Sequence, residues 1–336
     1  MSARRYRTAT NAERRAARRQ ANRPAERSRP WLWLGAAGIA ILAVAIVVGI
    51  RLASSSGGSE PGEPASNAAP GSGAGGELSQ IRTNDFHSMA LSPVDPNLVL
   101  YGHHGGVLQS TDGGRTWLTT NLSGETDDAM GMAFAGPGGN TVLAAGHDTF
   151  FKSTDGGRPW DRITPDLPAT DVHGLAAAPD DPNRVYAYVV RFGLYRSDDG
   201  GATWTPGATN LPGDVMGLGA GPGGRVYAAS IQSGILRSDD GGMKFAATNG
   251  GAPGSMAVAA SASDPDVVYA GGEDMLYQST DGGASRQERA VPGGGQVLIV
   301  AVSPADPVDV TVVAVQSDRA GHVFRSKDGG ATWASE

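Results

Sequence analysis

An eight-residue phrase recurs six times along the chain, starting at Ser110, Ser153, Ser197, Ser238, Ser279 and Ser326. The first copy reads Ser110-Thr111-Asp112-Gly113-Gly114-Arg115-Thr116-Trp117, and the last reads Ser326-Lys327-Asp328-Gly329-Gly330-Ala331-Thr332-Trp333. Successive starting serines stand 43, 44, 41, 41 and 47 residues apart. A period of that length belongs to stacked supersecondary units, each too small to bury its own apolar face. Whatever this chain folds into must therefore be assembled from six similar modules.

Each module divides into strand-length runs separated by turn residues. In the first these are residues 87–91, 98–101 and 107–109 and a run from Thr116, broken at Asp95-Pro96-Asn97, at Gly105-Gly106 and at the repeated phrase. The third module repeats the pattern, with Asp181-Pro182-Asn183 at the first break; Gly136 to Gly139 and Gly221 to Gly224 replace that turn in modules two and four. Four short strands make a meander sheet, and six such sheets set radially cover one another's faces. The expected fold is all-β, a six-bladed β-propeller with four-stranded antiparallel blades over residues 77–336. Only residues 332–336 remain for the last strand, so residues 78–83 are expected to pair beside it.

The front of the chain reads differently. Residues 1–30 hold ten arginines against Glu13 and Glu26, the composition of a disordered tail. Residues 31–50 carry no charge, and as a helix they would cross a hydrocarbon core of roughly 30 Å, so one transmembrane helix is expected over 31–53. Trp31 and Trp33 suit the interfacial belt, and the arginine excess predicts a cytoplasmic N-terminus with the propeller outside the plasma membrane. A cleaved signal peptide is the rival, but its apolar region is normally about 7–15 residues, and no small-x-small cleavage site follows. Residues 54–76, rich in Gly, Ser and Pro, read as a flexible stalk.

The chain as a whole carries a net charge of −7, but its first 51 residues hold 11 Arg and 2 Glu. The remainder has 16 basic and 32 acidic residues, a net −16, which argues against nucleic acid as a partner of the propeller. Cysteine is absent, so neither a disulfide nor a thiolate metal site is available.

The repeated phrase resembles the Asp-box (BNR) repeat family, found in sialidases, sortilin-like receptors and plant photosystem assembly factors. The resemblance covers about three-quarters of the chain and implies that each box forms the hairpin between the third and fourth strands of a blade. Asp112, Asp155, Asp199, Asp240, Asp281 and Asp328 would then be structural, their carboxylates capping backbone N–H groups, while glycines allow positive φ and the Trp packs on the hairpin. Phe245 and Arg286 replace that Trp in boxes four and five, whose hairpins are expected to be less firmly held. Phe86-His87-Ser88-Met89, His103-His104-Gly105-Gly106, Gly146-His147-Asp148 and Asp171-Val172-His173-Gly174-Leu175 resemble a narrower bacterial Asp-box group often labelled glycosyl hydrolase.

With the boxes on one face of the ring, functional residues are sought on the other. Aligned on the first turn, the modules place His87, Met130, His173, Met216, Met256 and Leu298 at the start of each innermost strand, with Asp85, Asp128, Asp171 and Asp214 two residues earlier. Six residues before the box serines stand His104, His147, Arg191, Gln232 and Glu273 at the end of the second strands. His103 precedes the first of these, and His322 begins the third strand of module six, so all six histidines map to one face. Imidazole and thioether without thiol suit copper outside the cytoplasm, and the candidate metal ligands are His87, His103, His104, Met130, His147, His173 and Met216. Arg191, Gln232 and Glu273 are candidate ligand-binding residues. The competing reading is that the methionines pack as core and the histidines hydrogen-bond loop carbonyls.

A sialidase would need an arginine cluster and a tyrosine nucleophile. Tyr101, Tyr186, Tyr227 and Tyr269 instead occupy one repeated second-strand position, and Arg191 alone among the arginines maps to the mouth. Other glycosidases need just two carboxylates, which Asp85, Asp128, Asp171 or Glu273 could supply. The expectation is a membrane-tethered binding propeller whose mouth takes a metal ion, small ligand or protein segment. The alternatives are a glycoside hydrolase and a protein-binding scaffold or assembly factor.

Overall fold

The computed structural model describes residues 76–333 apart from 125 and 136. The basic tail, the apolar span and the stalk up to residue 75 lie outside the described residues. Among the described residues no helix is long and apolar enough to cross a membrane.

Each module folds as a four-stranded antiparallel sheet, and there are six of them. Blade one runs Ser88–Leu91, Val99–His103, Gly106–Ser110 and Leu118–Thr119, the strands lying side by side in sequence order. The innermost strands of blades two to six are Gly131–Ala135, Val172–Ala178, Val215–Ala220, Val258–Ala260 and Gln296–Val302. Second strands are apolar on both faces because a neighbouring blade covers each side; Tyr101, Tyr186, Tyr227 and Tyr269 are all fully buried in them.

The core is divided into six clusters, one at each junction between neighbouring blades. Leu100 and Val107 of blade one meet Val142, Phe151 and Trp160 of blade two, and the series continues to the junction where Ile299, Val313 and Val323 of blade six meet Tyr101 and Leu108 of blade one. That last cluster closes the ring. Closure is made differently from the expectation. Glu77–Ile81, not residues 78–83, forms the leading strand, and it pairs with Gly321–Ser326 in the register Gln80 to His322 and Ile81 to Gly321. The outermost place of blade six is thus filled by the start of the domain, while residues 331–333 form no strand. Ile81 is 2% exposed, and burying such a side chain contributes about 1.5–3 kcal/mol.

The boxes lie at the end of the ring opposite the starts of the innermost strands. In box one, Ser110 Oγ accepts the Gly114 N–H at 2.8 Å and donates to Asp112 Oδ1 at 2.7 Å. Asp112 Oδ1 also accepts the N–H groups of Arg115 and Thr116 at 3.0 and 2.9 Å, and Thr116 Oγ1 donates to Oδ2 at 2.6 Å. Gly113 and Gly114 hold φ of 74° and 94°, where a side chain would be strained. Asp155 departs from this scheme because Pro159 stands where box one has Thr116, offering neither an N–H nor a hydroxyl. Boxes four and five keep the serine–aspartate bonds. Arg286, in place of Trp, lays its guanidinium 5.0 Å from the Tyr277 ring centroid and donates to the Asn249 and Gly251 carbonyls, so that hairpin is not left loose.

Candidate functional site

The residues aligned at the starts of the innermost strands converge because the backbone lets adjacent blades approach there. A Cβ on Gly131 would lie 2.6 Å from the Leu175 nitrogen, and one on Gly174 would lie 2.9 Å from Leu218 Cγ, so only glycine fits after Met130 and His173. At this end the pairing between first and second strands also slips by one residue in blades three, four and six, between Val172 and Gly174, Val215 and Gly217, and Val297 and Ile299. His173, Met216 and Leu298 are the extra residues. Such bulges re-aim side chains beside functional sites.

Four imidazoles and three carboxylates form a continuous arc across blades one to three. His87 Nε2 is 3.0 Å from His104 Nδ1, which also contacts Asp85 Oδ2. His104 Nε2 is 3.2 Å from His147 Nδ1 and 3.5 Å from Asp128 Oδ2, and His147 Nδ1 is 2.7 Å from the same oxygen. At the far end His173 Nε2 faces Asp171 Oδ1 at 3.2 Å, without the alignment of a hydrogen bond. Asp85 and Asp128 are fixed by accepting the backbone N–H of His104 and of His147, both at 2.8 Å. Three groups result whose ligand atoms lie within 4.8 Å of one another: Asp85, His87 and His104; His104, Asp128 and His147; and His147, Asp171 and His173.

Burial works to raise Asp85, Asp128 and Asp171, but hydrogen bonds and charge from the histidines outweigh it and leave all three below the ordinary carboxylate range. His87 is pushed down to about 4, chiefly by burial, so its ring is neutral with a lone pair available. His104 and His147 are raised, first by their hydrogen bonds to Asp85 and Asp128. Ionised carboxylates and a neutral imidazole form a set of donors for a cation. The same shifts work against a glycosidase role for the three aspartates, since a general acid must keep its proton.

Not every residue singled out from sequence joins the arc. His103 turns back on its own loop, where Nδ1 bonds the His104 carbonyl oxygen at 2.8 Å and the ring stacks on Tyr101. His322 is held in blade six between Glu77 Oε1 at 3.1 Å and Asp318 Oδ1 at 3.0 Å. The convergence of all six histidines is thereby corrected to four, because His103 is taken up by the His104 carbonyl and the Tyr101 ring and His322 by two carboxylates of blade six. Met130 and Met216, with Met256, line a cavity of about 70 Å³ shared with His87 and His173. Arg191 is exposed at φ 70° beside Asp171, whose charge it helps hold. Gln232 donates its backbone N–H to Asp214 at 2.8 Å, and Glu273 of blade five bridges to Gln296 of blade six; neither belongs to the groups of the arc. The aspartate–histidine pairing was missed at the level of sequence. Its signal was present: Asp85 to His104 and Asp128 to His147 are both separations of 19 residues.

A model of the BNR/Asp-box repeat family matches residues 195–206, the third strand and box of blade three. No curated protein sequence matches the chain. Among solved structures it is similar to the GH74 xyloglucanase from Xanthomonas campestris, with 18% identity, TM-score 0.53, and 81% of this chain against 46% of that one covered. The chain therefore spans about half the length of that enzyme. It is also similar to YCF48 bound to D1 peptide, with 18% identity, TM-score 0.50 and 83% and 87% coverage. YCF48 from Cyanidioschyzon merolae gives 19% identity, TM-score 0.51 and 76% and 87% coverage. At these identities the likeness is one of fold. The described residues thus form a six-bladed β-propeller, and the box of its third blade matches the BNR/Asp-box repeat.

Proposed function

We propose that this chain is a binding propeller, carried outside the plasma membrane on a single span, whose arc of imidazoles and carboxylates takes a transition-metal ion. The observation that carries the reading is the gathering of four imidazoles and three carboxylates into groups whose ligand atoms lie within 4.8 Å of one another, with Asp85 and Asp128 paired to His104 and His147. Metal-ligating histidines are oriented in this way by carboxylates. The donors of the arc, nitrogen and oxygen, suit copper(II) and zinc; the thioethers beneath suit copper(I), so copper is the metal that both sets accept. The test is metal analysis of the full-length chain after exposure to copper or zinc. Retention that is lost in His87→Ala/His173→Ala supports the reading, and retention no higher than in that variant sinks it.

A second reading has the mouth take a protein segment, and a propeller of similar fold, YCF48, is bound to D1 peptide. Phe192, 44% exposed and next to Arg191 at the rim, favours it here. Co-purification of a partner that persists in the histidine double variant but not in Phe192→Ser would select this reading.

A further inference from the structure

We infer that the arc holds two ions, not one, with Asp128 as a shared positioning carboxylate between them; this rests on the metal-binding reading above. The outer two groups of the arc, Asp85–His87–His104 and His147–Asp171–His173, have no residue in common, whereas the middle group borrows one imidazole from each. A single central ion on His104, Asp128 and His147 would leave His87, Asp85, Asp171 and His173 without a role. It would in particular leave Asp171 Oδ1 and His173 Nε2 as they stand, both shut off from solvent and facing one another at 3.2 Å without the alignment of a hydrogen bond. His173 is only 7% exposed, and a buried polar atom without a well-aligned hydrogen bond is destabilising. An ion at that end satisfies both atoms at once.

The nitrogen atoms fit the same division. His104 presents Nδ1 to Asp85 and His87, and its Nε2 lies 3.5 Å from Asp128 Oδ2. His147 turns Nδ1 to that same oxygen at 2.7 Å, which leaves Nε2 for the far site. Asp128 thus stands between the two rings, bonded to His147 and within ion-pair distance of His104, with His104 Nδ1 on one side and His147 Nε2 on the other for separate ions. It is 4% exposed, and its Oδ1 has no hydrogen-bond partner. A negative charge so buried is balanced by cations on either side of it.

The experiment is equilibrium dialysis of the detergent-solubilised full-length chain against zinc, with elemental analysis of the bound metal. Two ions per chain are expected in the wild type. One ion should remain in His87→Ala and one in His173→Ala, each variant losing the site at its own end. One ion in the wild type, or loss of both in either single variant, overturns the two-site arrangement and leaves the metal-binding reading standing; no ion at all removes both. Copper(II) gives a readout that does not depend on variants folding, because its paramagnetic resonance signal with nitrogen hyperfine structure should grow until two equivalents are bound. Saturation of that signal at one equivalent contradicts the inference. Asp128→Asn should weaken both sites by about 10–100-fold with two ions still binding at saturation, and Asp128→Glu should restore part of the loss. An effect on one site alone contradicts the shared role.

Discussion

At the scale of single residues, the chemistry of the mouth is set by which titratable groups lose water and which gain a partner. His87 loses water, and its ring in the metal-free chain is predicted to titrate at about 4, read from its imidazole resonances. A midpoint near that of an exposed histidine would show that the arc is open to solvent. The box aspartates gain partners instead: hydroxyl and backbone bonds, led by that from Thr203, hold Asp199 at about 2. Between the ordinary carboxylate value of 3.8 and about 2 the unfolded chain binds the proton first, so stability supplied by Asp199 is complete above that window and is lost as pH falls through it. Denaturant unfolding of Asp199→Asn should lose part of the acid sensitivity of the wild type between pH 4 and 2, read as a smaller drop in midpoint. The identity and the face of the arc residues were legible in sequence, since strand alternation and module alignment gave His87, His104, His147 and His173 a common end. What was not legible is rotamer and pairing. Nothing in His103-His104 tells which ring turns to Asp85 and which stacks on Tyr101.

At the scale of elements, close approach and closure are the two features with a measurable cost. Gly131→Ala places a methyl group against the backbone of blade three and should destabilise the domain by about 1–3 kcal/mol, seen as a lower thermal midpoint. A neutral result would mean that the innermost strands are not in contact there. The closing strand is tied at several points: Ser79 Oγ donates to the Gly114 carbonyl at 2.6 Å and accepts from Trp117 Nε1 at 3.0 Å, and Glu77 meets His322. His322→Ala leaves Glu77 and Asp318 without that partner and should cost about 1–3 kcal/mol, with hydrogen exchange rising first at Glu77–Ile81. Faster exchange spread evenly over all blades would contradict a local clasp. The modules and their turns could be read because every blade restates them. The clasp could not, because residues 77–81 have no counterpart in any other module, and their partner is fixed only once the ring exists.

At the scale of the whole molecule, function depends on six sheets that each complete the next. The arc spans three blades, with His87 and His104 from blade one, His147 from blade two and His173 from blade three, so no single module contains it. The ring carries the boxes at one end and the arc at the other, which separates the residues that hold the hairpins from those free to bind. Loading the mouth should therefore stabilise the whole propeller, since an ion bound only by the closed ring shifts the unfolding equilibrium by mass action. A rise in thermal midpoint with added zinc or copper, absent in His87→Ala/His173→Ala, is the expected outcome. The decisive measurement is anomalous diffraction from crystals grown with zinc or copper, collected at the absorption edge of the metal. Two peaks within bonding distance of His87 and His104 at one end and of His147 and His173 at the other are predicted. A mouth with no anomalous density, its imidazoles still packed on one another, would contradict the proposal.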